Sequence, residues 1–464
     1  MSQKSNYFLY WAVLSVNFLT INISSLFSWT SPTIPKLYSN DTSINPLGKP
    51  ITAVEESLIA SLPNIGSIVG TIVSGLLAEK LGRKRTLILS SVPFFACYIL
   101  IANASKFYLF AIARLIIGFV GGIALTILPS YVAEISEDSN RGILGSIFGI
   151  MSAMGHVCSF VIGPLISIQS YAYFLLVPVT IFLVTFVPFI PESPYYYMMK
   201  NDTNEAEKVL KKLRKNSDVS KELLHIQEVV YTSKCQKVNW KELTIAPTRN
   251  GLMACCGLLL FQQFMGIPFI LLYLQPILDA SGNIIPSNLA SIIIGFVQLA
   301  LCTVSTIVID RVGKKILLQI SSIGSIVSLV GLGMYFYLQS NNYNVNPIFW
   351  LPLASLINFY VFFNIGYATI PWTIGGELFA TNVKSICVSI GSFGALSLGL
   401  IIVAAFPFIR EAFGMSGVFF IFSGIASLSI IFVSIFVPET KGKNFLEIQN
   451  ALSGRQKHVD YNKQ

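Results

Sequence analysis

Long apolar runs recur along the whole chain and are separated by short polar segments. A helix needs about twenty mostly apolar residues to cross the hydrocarbon core of a bilayer, and runs of that length predict about twelve spans. The first six lie near 8–29, 56–78, 86–104, 107–133, 144–166 and 170–190. The other six lie near 250–278, 287–309, 315–338, 347–375, 385–408 and 414–437. The pattern predicts an all-α integral membrane protein with twelve transmembrane helices.

One long charged segment separates the two sets of six spans. We therefore predict an N-terminal half at 1–190, a cytoplasmic linker at 191–249, a C-terminal half at 250–440 and a cytoplasmic tail at 441–464. Within the linker, charged residues alternate with Leu210 and Leu213 at helical spacing, which predicts several short amphipathic helices. A disordered linker is the alternative interpretation.

Composition and charge narrow the class of protein. Apolar residues make up 53% of the chain and charged residues only 11%, against roughly a quarter charged in soluble domains. The net charge of +9 is concentrated in the linker and in alternate short loops, as expected of loops retained in the cytoplasm. This distribution predicts cytoplasmic termini and excludes nucleic-acid binding. It also places the sequon Asn40-Asp41-Thr42 in an outer loop at 30–55, where Asn40 is a candidate glycosylation site.

The chain carries no pattern typical of a metal site or an enzyme. Its seven cysteines show no metal-ligand spacing, and we place none of them in an outer loop, so we predict neither a disulfide framework nor a zinc site. We find no nucleophile–base pair or phosphate-binding loop placed at a cavity. The prediction is a protein that is not an enzyme and uses no cofactor.

Three short motifs recur in the same order in the two halves. Gly82-Arg83-Lys84-Arg85 recurs as Asp310-Arg311-Val312-Gly313-Lys314-Lys315, Glu134 with Arg141 recurs as Glu377 with Lys384, and Pro191-Glu192-Ser193 recurs as Pro438-Glu439-Thr440. Matched order and offset indicate two homologous six-helix halves. Such halves are typical of transporters that expose a central site to alternate sides of the membrane.

Over nearly the whole chain these residues resemble the sugar porter family of the major facilitator superfamily. Further stretches carry the resemblance: Pro129-Ser130-Tyr131-Val132-Ala133-Glu134, Gln262-Gln263-Phe264-Met265-Gly266, Ile370-Pro371-Trp372 and Pro438-Glu439-Thr440-Lys441-Gly442. Within the family, Trp29-Thr30-Ser31-Pro32 and Glu56-Ser57 look most similar to facilitated trehalose and glucose transporters of invertebrate type. The resemblance implies the major facilitator fold, a sugar substrate such as trehalose or a hexose, and the plasma membrane as location.

The resemblance also assigns a charge network at the cytoplasmic helix ends. Its members are Arg83, Glu134, Arg141, Asp310, Arg311, Glu377 and Lys384. Acids and bases there can pair across the two halves and favour the outward-open state. Their separation then accompanies inward opening, which is a two-state switch of the rigid-body type. Positive charge that only sets topology is the alternative, but the glutamates add nothing to topology.

A second group of residues matches the positions that line the sugar cavity in this family. They are Gln262, Gln263, Tyr273, Gln298, Asn364 and Trp372. A sugar is a neutral polyol, so its binding calls for amides that both donate and accept hydrogen bonds, and Trp372 offers an aromatic face to the ring. Hydrogen bonding between helices is the alternative role for the amides. Asparagines usual in the family are replaced here by Ala395 and Gly399, which predicts a cavity with fewer amides.

The mechanism predicted is passive alternating access. We find no carboxylate near the middle of any predicted span, and the ionisable residues clearly within spans are Arg114 and His156. Arg114 is interpreted as a packing residue, and His156 either packs or titrates near neutral pH. The alternatives are a proton-coupled sugar symporter, a carrier of another polyol or small organic solute, and a sugar sensor that does not transport.

Overall fold

The computed structural model describes residues 7–137, 140–214, 218–235, 245–282, 286–379, 381–441 and 445–452, without the side chains at 141–142, 232–235, 302–311, 376–377, 381–386 and 445–446. All of the regular structure described is helical. The contacts group the chain into two compact units. Unit 1 comprises Met1–Gln236, Phe269–Leu299 and Val403–Pro407, and unit 2 comprises Lys237–Pro268, Ala300–Ile402 and Phe408–Gln464.

The long helices of the N-terminal half follow the predicted spans closely, and short helices occur in the linker. In chain order they are α1 (Tyr7–Ser28), α2 (Thr30–Tyr38), α3 (Ala53–Leu81), α4 (Arg83–Ala102), α5 (Phe107–Ile135), α6 (Arg141–Val157), α7 (Gly163–Leu165), α8 (Ile168–Phe189), α9 (Pro194–Met199), α10 (Thr203–Arg214) and α11 (Ser220–Cys235). A π-helical turn, Cys158–Ile162, joins α6 to α7. On α10 the apolar residues at helical spacing are buried, including Leu210 and Leu213.

The C-terminal half contains longer helices and more interruptions. Its helices are α12 (Ala246–Phe264), α13 (Ile267–Ala280), α14 (Ser287–Val312), α15 (Lys314–Ser340), α16 (Leu351–Ile365), α17 (Ile370–Leu378), α18 (Thr381–Phe436) and α19 (Phe445–Leu452), with a 3₁₀ turn at Asn346–Ile348. Among the described residues, ten segments are long and apolar enough to cross a membrane. One of them, Cys387–Phe436, would measure about 75 Å as a straight helix. It is interrupted at Gly414, where φ is +68°, and so provides two crossings of a core about 30 Å thick. With α14, the crossings correspond to the twelve predicted spans.

Two predicted spans that looked continuous in sequence are broken in the structure. Span seven consists of α12 and α13, which meet at Gly266 with φ +88°, a backbone conformation that glycine adopts without strain. Span ten consists of α16 and α17, separated by residues 366–369. The predicted outer loop at 30–55 also contains a helix, α2, directly after α1. These breaks expose backbone groups that an unbroken helix would satisfy.

Helices α3 and α5 approach each other so closely that glycine is required on both. A Cβ atom on Gly66 or Gly70 of α3 would lie 2.3 or 2.0 Å from a carbonyl oxygen of α5. A Cβ atom on Gly118 or Gly122 of α5 would lie 2.3 or 2.2 Å from a carbonyl oxygen of α3. Small residues spaced by four let two helix backbones pack at short range in a membrane, where dispersion and interhelical hydrogen bonds replace the hydrophobic effect. Among the described glycines of unit 1, these four have the shortest distances from a Cβ position to a carbonyl oxygen.

The repeated Pro-Glu motif caps a helix in the N-terminal half. The Glu192 carboxylate accepts hydrogen bonds of 2.8–3.0 Å from the backbone N–H groups of Arg83, Lys84 and Ser193. It lies at the N-terminus of α4, where unpaired N–H groups and the helix dipole favour an anion. Gly82 has φ +92°, and a Cβ atom there would meet the carboxylate at 2.4 Å. Burial nevertheless raises the pKa of Glu192, since loss of hydration outweighs the backbone hydrogen bonds.

The C-terminal half repeats this cap with its own glutamate. Glu439 accepts hydrogen bonds from the backbone N–H groups of Lys314, Lys315, Thr440 and Lys441, at 3.0–3.2 Å. Gly313 precedes α15 with φ +109°, and its Cβ position faces the Glu439 carboxylate at 3.1 Å. The sequence repeat therefore has a structural cause, because each half uses one glutamate to satisfy the start of one long helix.

A lysine satisfies the end of span five. Lys36 of α2 donates from Nζ to the carbonyl oxygen of Gly163 at 2.5 Å and to that of Ile166. These carbonyls belong to the first residue of the three-residue helix α7 and to the residue that follows it, at the end of span five, where a helix leaves acceptors unpaired and favours a cation. Burial lowers the pKa of the Lys36 ammonium to about 8.

The low pKa of Lys36 predicts a pH dependence of stability. In the unfolded chain a lysine has a pKa near 10.4, so from about pH 8 to pH 10 the unfolded state binds more protons and alkali stabilises the fold. We expect the thermal midpoint in detergent to rise by about 1–2 °C over this interval through Lys36. Lys36→Met should remove that increment from the pH profile. Lys106→Met, at an exposed lysine, should retain it, and identical profiles for all three proteins would contradict the prediction.

Candidate functional site

Gln262 is the predicted cavity residue with the most specific environment. It lies near the end of α12, is 5% exposed, and donates from Nε2 to the carbonyl oxygen of Tyr367 at 2.6 Å. Tyr367 belongs to the break between α16 and α17, at residues 366–369. The Oε1 atom of Gln262 is buried and makes no hydrogen bond with the residues described. One end of the amide therefore stabilises the break, and the other end is available to a hydroxyl group.

Gln263, the next residue, is half-buried and lies beside Gly399 of α18. A Cβ atom on Gly399 would lie 3.0 Å from Gln263 Oε1 and 4.0 Å from Pro268 Cγ. A side chain at position 399 would have to displace the amide. The replacement of the usual asparagine by glycine thus gives Gln263 room, which sequence alone did not indicate.

Asn364 and Trp372 lie on either side of the same break. Asn364 donates from Nδ2 to the carbonyl oxygen of Tyr360, one turn earlier on α16, at 2.8 Å. Its donor is therefore used within its own helix, while the side chain remains half-buried. Trp372, on the first turn of α17, is 45% exposed. Gln262, Gln263, Asn364 and Trp372 all belong to unit 2.

The remaining two predicted residues, Tyr273 and Gln298, belong to unit 1. Tyr273 is fully buried at a kink in α13, where its φ and ψ are −118° and 19°. Its ring packs on Phe406 at a centroid distance of 4.3 Å. Gln298 of α14 is half-buried, and its Oε1 makes no hydrogen bond with a described residue. Buried acceptors without partners cost about 1–3 kcal/mol each, which favours a hydroxyl-bearing ligand.

The charge network is described for two of its seven members. Arg83 forms a salt bridge with Glu134, with Nη2 2.9 Å from Oε1. The Glu134 carboxylate also accepts hydrogen bonds from the hydroxyls of Ser130 and Ser193. Glu134 thereby connects α5 to the start of α4 and to the Pro-Glu motif. The side chains of the other predicted members lie outside those described: Arg141, Asp310, Arg311, Glu377 and Lys384.

Arg114 of α5 is almost fully buried, at 2% exposure. Its guanidinium donates to the carbonyl oxygens of Leu26 at 2.8 Å and Ile59 at 3.3 Å. The group also lies 4.9 Å from the ring centroid of Trp29, a cation–π contact. Arg114 thus joins α1, α3 and α5 through neutral partners, in agreement with its interpretation as a packing residue.

The comparison with protein families settles the class of protein. The family model described as "Sugar (and other) transporter" matches residues 17–452. The chain belongs to this sugar transporter family. The resemblance predicted from the motifs is therefore confirmed, and with it the conclusion that the chain is a transporter and not an enzyme.

Relatives within the sugar transporter family match almost end to end. The chain is 34% identical over 451 residues to a facilitated trehalose transporter of Bombyx mori, covering 97% of this chain and 87% of that protein. It is 31% identical over 458 residues to a facilitated trehalose transporter of Culex quinquefasciatus, covering 96% and 86%. The similarity therefore extends over nearly the whole length of this chain.

Among solved structures, the inward open conformation of the xylose transporter XylE from E. coli matches with a TM-score of 0.75. Sequence identity is 19%, and the match covers 96% of this chain and 99% of XylE. At that identity the likeness establishes the fold. The predicted all-α major facilitator fold is confirmed, and this member of the sugar transporter family is a multi-pass membrane protein.

Proposed function

We propose that this sugar transporter carries trehalose or a hexose down its gradient by alternating access, with Gln262, Gln263, Tyr273, Gln298, Asn364 and Trp372 contacting the substrate. The observation that supports it best is Gln262 Oε1, a buried acceptor left free by an amide whose donor is already held by Tyr367. A neutral polyol supplies hydroxyl donors for such acceptors without bringing charge into the membrane. The relatives from Bombyx mori and Culex quinquefasciatus, both named facilitated trehalose transporters, favour trehalose.

The proposal includes the setting of the protein. We also propose that the protein lies in the plasma membrane with cytoplasmic termini and is glycosylated at the exposed Asn40; the charge distribution and the family support this. The proposed organisation is an N-terminal half at 1–190, a linker at 191–249, a C-terminal half at 250–440 and a tail at 441–464. In the proposed cycle, contacts of the charge network across the two halves separate when the cytoplasmic side opens. The Arg83–Glu134 pair lies within the N-terminal half and moves with it.

The second candidate is proton-coupled sugar transport. His156 lies in span five with a buried Nδ1 that no described residue satisfies, and histidine is the side chain most suited to titrate near neutral pH. Two observations favour the passive mechanism. The buried Arg114 contacts neutral carbonyl oxygens and an aromatic ring, and these contacts do not include a carboxylate that could carry a proton. The buried Glu56 lies in the first turn of α3 and accepts a hydrogen bond from Tyr38, away from the middle of the span.

Flux measurements in reconstituted vesicles test the proposal. Radiolabelled trehalose or D-glucose is added to the solution outside sealed vesicles, with and without an inwardly directed proton gradient. We expect saturable uptake of at least one sugar that stops at equal concentrations and is unchanged by the gradient. Accumulation above the external concentration with inward protons would replace the passive mechanism with symport. Uptake of neither sugar, in vesicles that take up another polyol, would contradict the substrate assignment.

A further inference from the structure

His156 occupies an irregular part of span five that the proposed transport mechanism does not yet use. It is the penultimate residue of α6, directly before the π-helical turn Cys158–Ile162. Such turns change the face on which the following side chains project and are frequent at functional sites. The imidazole is parallel to the ring of Phe160, with centroids 6.3 Å apart and an interplanar angle of 19°. Its Nδ1 atom is buried and forms no hydrogen bond with the residues described.

Helix packing on α1 does not account for this histidine. The adjacent face of α6 makes that contact: the Ser25 hydroxyl donates to the Gly155 carbonyl oxygen at 3.0 Å, and the Ser24 and Ser152 hydroxyls are 2.7 Å apart. One residue further along a helix is rotated by about 100°, so His156 projects from a different face. A histidine kept only for packing would normally have its buried nitrogens hydrogen-bonded.

The face that carries His156 and Phe160 is crossed by α14, within unit 1. A Cβ atom on Gly295 of α14 would lie 3.6 Å from Phe160 Cβ and 3.6 Å from Val157 Cα, which is ordinary contact. Spans five and eight run in opposite directions, because successive spans alternate. One turn back from Phe160 on α6 is His156, and about one turn forward from Gly295 on α14 is Gln298. The two side chains therefore lie at the same level of neighbouring helices.

Two buried polar atoms without hydrogen bonds, His156 Nδ1 and Gln298 Oε1, thus occur at one level of unit 1. We propose that His156 and Gln298 together bind hydroxyl groups of the transported sugar, which makes His156 a substrate-contacting and specificity-determining residue. This inference rests on the proposed function. A neutral imidazole carries one donor and one acceptor, and a primary amide carries both, so the pair matches adjacent hydroxyls in either tautomer. The parallel ring of Phe160 holds the imidazole in place.

The test uses the full chain in reconstituted vesicles, with trehalose and D-glucose as probes. His156→Phe keeps the aromatic ring beside Phe160 and removes both nitrogens. We expect it to raise KM about threefold to tenfold with little change in maximal rate, as for the loss of one or two hydrogen bonds to a neutral ligand. His156→Gln, which restores a donor and an acceptor, should recover most of the affinity. Met154→Leu, on the same helix at a position 39% exposed, should behave as the wild type.

Monodeoxy analogues of the carried sugar distinguish binding from a structural role. In the wild type, at least one analogue should lose affinity because it lacks the hydroxyl that His156 contacts. That analogue should lose nothing further in His156→Phe, while the other analogues lose affinity equally in both proteins. Gln298→Leu should likewise cause no further loss of affinity for the analogue that lacks the same or the adjacent hydroxyl. This variant tests the inference independently if His156→Phe has a lower thermal midpoint than the wild type.

The outcomes separate the two proposals. If the wild type carries trehalose or glucose and both His156→Phe and Gln298→Leu leave KM unchanged, the inference is wrong and the proposed function stands. Equal losses for every analogue in variant and wild type would also overturn it. If the wild type carries neither trehalose nor D-glucose, the proposed function is wrong, and the proposed contact of His156 and Gln298 with the sugar is then wrong as well.

Discussion

Gly70→Leu is expected to abolish accumulation of folded protein. The Cβ position at Gly70 lies 2.0 Å from the carbonyl oxygen of Phe119, closer than real Cβ atoms approach any atom. The obstacle is helix backbone, which cannot rotate away as a side chain can. The leucine would force α3 and α5 apart and remove the packing contacts on which their association depends in a bilayer. The substitution should lower the free energy of unfolding by more than about 3 kcal/mol, the upper end of ordinary overpacking. That is a large part of the unfolding free energy of a typical protein.

The same helix offers a matched control for Gly70. Gly75 of α3 is exposed, and its Cβ position has nothing within 4 Å. Gly75→Leu should therefore express and elute as a single detergent-solubilised species, as the wild type does. Fluorescence-detected size exclusion and a thermal midpoint measurement compare the two variants. Equal yields and midpoints for Gly70→Leu and Gly75→Leu would show that the close approach of α3 and α5 is wrong.

Gln262→Leu should reduce sugar flux by about tenfold to a hundredfold, the largest effect expected from a change that preserves the fold. The leucine removes the free Oε1 acceptor and also leaves the Tyr367 carbonyl oxygen without its 2.6 Å hydrogen bond. Each loss is about 0.7–1.4 kcal/mol, and their sum converts to that factor in rate over KM. We expect both a higher KM, from the lost sugar contact, and a lower maximal rate, from the loosened break between α16 and α17.

Gln319→Leu provides the control for Gln262→Leu. The Gln319 amide donates to the Ser434 hydroxyl at 3.1 Å on an exposed part of unit 2. This variant makes the same chemical change away from the break, so uptake of trehalose and D-glucose should match the wild type. If Gln262→Leu transported both sugars with unchanged KM and maximal rate, Gln262 would be a helix-packing residue and not a cavity residue.

Much of the fold could be predicted from local properties of the sequence. The length of an apolar run decides whether a helix can cross the membrane, and no distant residue enters that decision. The three repeated motifs could be paired between the two halves because they occur in the same order in each half. The breaks at Gly266 and at 366–369 could not be placed, since an apolar run reads the same whether or not its helix is continuous. Their cause lies in contacts with other helices, such as the Gln262 hydrogen bond to Tyr367.

The candidate site was predicted as a set of residue types. A glutamine pair inside an apolar span indicated a polar cavity, and the structure shows what each amide contacts. The sequence did not show that the Gln262 Nε2 donor is bonded to the Tyr367 carbonyl oxygen, whereas its Oε1 acceptor makes no hydrogen bond with the described residues. It also did not indicate that Gly399 makes room for Gln263, because the two are far apart in the chain. The sequence left His156 as either a packing residue or a titrating one, and its level beside Gln298 supports the sugar contact that we propose instead.

By itself, the sequence determined that the chain is a membrane carrier of two homologous six-helix halves. Apolar length, charge distribution and motif order are all local quantities that a linear chain displays. Only the tertiary structure decided which polar atoms are satisfied and which are free, and where helix backbones touch. Those properties depend on the rotation and depth of each helix against its neighbours, which are set jointly by many distant side chains.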